Sequence, residues 1–95
     1  MSDFVFVLAY DISSAKSRRK LVKELEGIAR RIQYSVFETC ATEAQLEKVV
    51  EKTRKYISQK DGDSLLIYRL CAVCAQKRRI IGREVIDWRQ AVIIE

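Results

Sequence analysis

Asp11 follows Tyr10 at the end of an apolar run, FVFVLAYD, and is the carboxylate of this sequence best placed to do chemistry. At the carboxyl end of a strand, an aspartate has two readings. It is either a turn residue accepting backbone N–H groups or an oxygen ligand for a hard divalent cation. Mg²⁺ or Mn²⁺ can be held by one or two carboxylates when water and substrate phosphate complete its shell. Water acidified by such an ion attacks a phosphodiester. One aspartate per chain is a small donor set, and a two-fold dimer would bring a second copy of the same strand end.

The residues after Asp11 are cationic. Arg18, Arg19 and Lys20 come first, and Arg30 and Arg31 follow. Alone, such a row is an ordinary solvated helix face, with Lys20 or Lys23 pairing with Glu24 or Glu26. Beside Asp11 it gains a second meaning, because guanidinium groups bind phosphate oxygens two at a time. A later set, Lys77, Arg78, Arg79, Arg83 and Arg89, is either a solubilising surface or a salt-dependent grip on a nucleic-acid backbone. With 18 Lys and Arg against 13 Asp and Glu, the formal charge is +5, which favours a polyanionic partner without naming it.

Histidine is absent, which excludes His-based acid–base catalysis, Ser-His and Cys-His nucleophiles, and the commonest zinc ligand. Cys71 and Cys74 have CxxC spacing, and Cys40 is the third cysteine. Tetrahedral zinc needs four ligands, more than one such chain offers. A redox CxxC wants its first cysteine at a helix start. The sequence meets that context weakly, so both are read as buried or partly buried small residues. Glu38, Asp61, Asp63 and Asp87 have no spacing that singles them out. Trp88, next to apolar Val85 and Ile86, reads as a packing anchor.

Residues 4–10 are apolar on both faces and too few for a helix, so they read as a central buried strand. Ser13 and Ser14 are candidate caps for a helix over about 15–28, whose Leu21, Val22, Leu25 and Ile28 keep helical spacing. Residues 31–39 (RIQYSVFET) favour strand, either one bent strand or two short ones folded near Tyr34 and Ser35. Thr42 with Gln45 fits a capping box, and the spacing of Leu46, Val49, Val50, Thr53 and Ile57 predicts a second helix up to the Asp61-Gly62 breaker. Residues 64–70 (SLLIYRL) form the next strand, followed by a short helical or irregular piece over 71–81 and a strand pair around 85–88 and 91–94.

Ninety-five residues, 48% of them hydrophobic, feed a single core: one domain, with a body over about 1–82 and a tail over about 83–95. The β-α-β pattern suits a ferredoxin-like α+β sandwich, βαββαβ with an extra C-terminal strand. With both helices on one face, the apolar strands leave the other face needing cover, and a homodimer is the economical answer. The tail AVIIE is suited to adding to a sheet edge, its own or a partner's. The start MSDFVFVLAYD lacks secretory-signal features and the longest apolar run is too short for a bilayer, so the expected setting is cytoplasmic, with reduced thiols and no membrane.

Taken together, LAYDIS at 8–13, SRRKLVKELEG at 17–27, RIQYSVFE at 31–38, TEAQLE at 42–47 and DSLLIYRLCAVC at 63–74 resemble the CRISPR-associated protein two family. That resemblance implies a ferredoxin-like dimer whose tail strand packs on the partner's sheet. It implies that Asp11 is a metal-binding and catalytic aspartate facing its twin across the two-fold axis. The resemblance puts Tyr10, Arg18, Arg31, Ser35 and Phe37 at positions associated with the strand-end site and nucleic-acid handling, Tyr10, Ser35 and Phe37 as supporting residues; with the basic clusters read above, Arg18, Arg19, Arg31, Arg78 and Arg79 are the expected nucleic-acid contacts. The family's nuclease reading is Mg²⁺- or Mn²⁺-dependent cleavage of RNA or double-stranded DNA. Its scaffold reading is a bridge between dimers of the CRISPR integrase, adaptation protein one, during spacer acquisition. A related ribonuclease toxin shares the general architecture and is the third reading.

Overall fold

The computed structural model describes residues 3–79 together with 81 and 82. Strand β1 (Phe4–Asp11) leads through a tight loop to α1 (Ala15–Glu26), then to the hairpin of β2 (Arg30–Gln33) and β3 (Val36–Ala41). Helix α2 (Glu43–Thr53), two 3-10 turns at Arg54–Tyr56 and Gln59–Asp61, β4 (Ser64–Leu70) and α3 (Ala72–Gln76) follow. The four strands form one antiparallel sheet in the order β2-β3-β1-β4. This is the ferredoxin-like α+β arrangement, and the two-stranded alternative for 31–39 is the one realised, with its turn at Tyr34 and Ser35.

Alternation along β1 assigns side chains to the two sheet faces. Phe6, Leu8 and Tyr10 join Leu21 and Leu25 of α1, Leu46 of α2, and Phe37 of β3 in one buried cluster. Val5, Val7, Ala9 and Asp11 point the other way. On that open face β1 pairs with β4 in the register Ala9 to Leu66, Val7 to Tyr68 and Asp11 to Ser64. Leu66 and Tyr68 are 51% and 59% exposed, so among the described residues this face is apolar and uncovered along β4. Near its other end α3 covers it, with Ala75 buried against Val5 and Leu70 packed alongside.

Local chemistry sets the element boundaries. Ser14 caps α1, its hydroxyl accepting the Ser17 N–H at 3.2 Å. Thr42 and Gln45 complete the expected capping box, worth about 1 kcal/mol. Helix α1 stops at Glu26, two residues early, where the Gly27 N–H turns to the Glu24 and Leu25 carbonyls. The second helix is also shorter than its apolar spacing predicts, ending at Thr53 rather than at the Asp61-Gly62 pair. Thr53 is fully buried, and its hydroxyl donates to the carbonyls of Val49 and Val50 at 3.0 and 3.1 Å. Those bonds compete with the backbone ladder. Ile57 is then extended, and Gly62 takes the left-handed φ of 82° that the turn into β4 requires.

The expectation that Cys71 and Cys74 are buried or partly buried is corrected: both are exposed. Cys71 stands at the N-cap of α3, outside the packed side of that helix, and Ala75 fills the buried position instead. The expected tail strands at 85–88 and 91–94, with Arg83, Arg89 and Trp88, lie outside the described residues. No helix among the described residues is long and apolar enough to cross a membrane.

Candidate functional site

The carboxyl end of β1 is a junction of three chain segments. Asp11 is exposed there, on the open face, opposite Ser64 at the start of β4. The next residue, Ile12, is buried in the core, so the chain is anchored immediately after the carboxylate. Arg18 reaches back from α1, and its Nη1 donates to the Ile12 carbonyl at 2.9 Å. This places a guanidinium at the carbonyl of the residue following Asp11.

Tyr10 closes the junction on the hairpin side. Its backbone N–H donates to the Ser35 carbonyl at 3.0 Å and its hydroxyl to the Tyr34 carbonyl at 3.2 Å. Its ring is buried, 6.4 Å from the ring of Phe37. The β2–β3 turn is thereby fixed beside the strand end, bringing Tyr10, Asp11, Arg18 and Ser35 together.

The remaining predicted residues fall elsewhere. Phe37 is fully buried at the register position of Leu8, where it is a core residue. Arg31 lies over its ring with the guanidinium carbon 5.3 Å from the centroid. Arg31 pairs with Phe37 in register and so belongs to the helix-covered side of the sheet, opposite Asp11. Arg78 follows α3 across the open face and forms an ion pair with buried Glu38, so its charge is engaged inside the fold. Arg19 on α1 and Arg79 after α3 are exposed.

Asp63 and Glu38, which no sequence spacing singled out, carry much of the local architecture. One oxygen of Asp63 accepts the Ser13 backbone N–H at 2.9 Å and its hydroxyl at 3.1 Å, and the other accepts the Ser58 N–H at 3.0 Å. The backbone donors of Ser13 and Ser58 hold the Asp63 carboxyl below the usual aspartate value, against the opposing effect of burial. The DG-D-S run before β4 was the available signal, since a short carboxylate beside a turn finds backbone donors.

As a cation site, the junction offers one hard oxygen donor per chain. Asp11 is exposed and carries a carboxylate, which suits an ion that keeps its waters. Among the described residues no group of three or more Asp, Glu, Cys or His side chains gathers to hold a metal, so further carboxylate ligands would come from another copy.

Residues 4–78 match the family model described as CRISPR associated protein Cas2. A relative named CRISPR-associated endoribonuclease Cas2 1, from Chloroflexus aurantiacus, is 39% identical over 77 residues, covering 81% of this chain and 83% of its own. Another, CRISPR-associated endoribonuclease Cas2 3 from Synechocystis, is 40% identical over 67 residues, 70% of this chain and 72% of its own. Among solved structures, a hypothetical protein from Thermus thermophilus superposes with a TM-score of 0.75 at 29% identity, over 86% of this chain and 94% of that one.

Proposed function

Because the chain belongs to the CRISPR-associated protein Cas2 family, we propose that it is a nuclease of CRISPR adaptation, a homodimer hydrolysing phosphodiester bonds of RNA or double-stranded DNA. The observation that carries this reading is the position of Asp11, exposed on the open sheet face and held between buried Tyr10 and Ile12. The same face presents Leu66 and Tyr68 to a second copy. Pairing through it would supply two Asp11 carboxylates to one Mg²⁺ or Mn²⁺. When bound, the ion supplies an acidified water as nucleophile.

The chain's own residues position the reaction. Arg18, fixed on the Ile12 carbonyl, keeps positive charge at the strand end, where a phosphate under attack accumulates negative charge. Tyr10 and Ser35 hold the hairpin turn in place. The relatives' names support RNA as a substrate.

A second reading rests on the distribution of cations. Arg31 and Asp11 occupy opposite sides of the sheet, which suits a surface gripping nucleic-acid backbone more than a ring of cations around one carboxylate. In that reading the dimer is a scaffold that binds duplex DNA through residues such as Arg19, Arg31 and Arg79 and contacts the CRISPR integrase.

Asp11→Asn separates the two. Cleavage of RNA and duplex DNA by highly purified parent and variant is compared in Mg²⁺ and in Mn²⁺. The nuclease reading expects cleavage to fall on the order of a hundredfold while duplex binding persists. Equal cutting by both proteins removes Asp11 from the chemistry, and a parent that binds duplex in a salt-dependent way without cutting establishes the scaffold.

A further inference from the structure

Cys71 and Cys74 are unused by the reading above, and the structure exposes both at the start of one short helix. Cys71 is the N-cap of α3, where its Sγ accepts the backbone N–H of Cys74 at 3.5 Å. Both cysteines are exposed, directly after β4. The two thiols are unequal: hydrogen bonds from Cys74 pull the Cys71 thiol below its ordinary range, while donating to Cys71 pushes Cys74 above it. A cysteine at a helix start whose sulfur accepts a backbone N–H, followed three residues on by a second exposed cysteine, is the arrangement of an attacking and a resolving cysteine.

We infer that Cys71 and Cys74 form a thiol–disulfide exchange site whose substrate is a low-molecular-weight aliphatic disulfide. The Cys71 thiolate attacks one sulfur of that disulfide, forming a mixed disulfide and expelling the first thiolate. Cys74 then gives up its proton and attacks the Cys71 sulfur, forming the Cys71–Cys74 bond and expelling the second thiolate. The protein pair is oxidised by two electrons, and the reagent is reduced to two thiols that take up the protons released by the cysteines.

The site adjoins the open sheet face. The short segment that begins at Cys71 carries Ala75 against Val5 and leads to the Arg78 ion pair with Glu38. The inference is independent of the role of Asp11.

The test uses the full chain, reduced, freed of reductant and exposed under native conditions to glutathione disulfide, followed by intact mass and peptide mapping. The expected product is a Cys71–Cys74 disulfide that dithiothreitol reverses. Cys74→Ser should accumulate a glutathione adduct on Cys71, and Cys71→Ser should form its adduct at least about tenfold more slowly. Cys40→Ser should behave as the parent. Far-UV circular dichroism of each variant confirms that serine leaves the fold intact. Equal rates for Cys71→Ser and Cys74→Ser, a bond to Cys40 or between chains, or thiols that react only after denaturant or a zinc chelator would each overturn the proposal.

Discussion

Asp63 and Ser13, separated by 50 positions in sequence, are joined twice: the Ser13 backbone N–H and its hydroxyl both donate to the same carboxylate oxygen. The bond fastens the start of β4 to the loop between β1 and α1. Asp11 and Arg18 flank that loop, so the candidate site is held in place by a residue that belongs to neither of its sides.

That tie predicts a specific acid limb. The Asp63 carboxyl sits below its ordinary value of about 3.8 because its backbone partners favour the charged form. Its contribution is therefore fully present above the unfolded value and is lost as pH falls through the lower folded value. Thermal melts from neutral pH into acid should show Asp63→Asn less stable than the parent at neutral pH, with the difference narrowing below about pH 4 as acid protonates the parent carboxylate. A constant difference down to pH 2 would exclude the tie as the source.

Arg31 and Phe37 should separate cleanly on substitution. Phe37→Ala empties a fully buried position and should cost about 3 to 5 kcal/mol in urea unfolding. Arg31→Ala removes a cation from over that ring, with an expected loss of about 1 kcal/mol or less. If Arg31 contacts phosphate, the salt slope of duplex binding should fall by about one. An unchanged slope would leave Arg31 with a packing role only.

Much of this architecture was legible in the residue pattern. The continuous apolar runs of β1 and β4, the Thr42–Gln45 box and the Ser14 cap each act over a few neighbouring residues, so their outcome can be read locally. The length of α2 could not be corrected that way, because the full burial of Thr53 is a property of the folded chain that helical spacing does not announce. Asp63 and Glu38 escaped notice for the same reason, since their partners Ser13 and Arg78 are far away along the chain. Cys71 and Cys74 looked like small filler residues, and only the three-dimensional packing shows that Ala75 takes the buried position.

Glu38 and Arg78 form a pair across the open face whose side chains are 4% and 17% exposed. Removing one partner strands the other charge, so Arg78→Ala should destabilise by about 3 kcal/mol. Glu38→Gln combined with Arg78→Met should recover much of that loss, because the buried charge is gone from both ends. Additive losses in urea unfolding would show that the two residues act separately.

The exposed apolar row on β4 provides a direct test of association. Leu66→Glu places a charge in the centre of the face proposed to pair, and sedimentation should show dimer association weakened by about tenfold or more. The monomer's melting temperature should change little, since Leu66 is half exposed in the single chain. A dimer of unchanged strength would locate the contact elsewhere.

The alternation along β1 bears on which genetic changes this protein tolerates. Swapping one aliphatic side chain for another in that strand keeps every residue on its own side. Deleting a single codon between Phe4 and Tyr10 would instead transpose the remainder, turning the acidic group toward the helices or forcing the pairing with both neighbours to slip. Reading-frame-preserving deletions there should therefore be far rarer in descendants than point changes, and Asp11 would be inherited as a spacing as much as a residue.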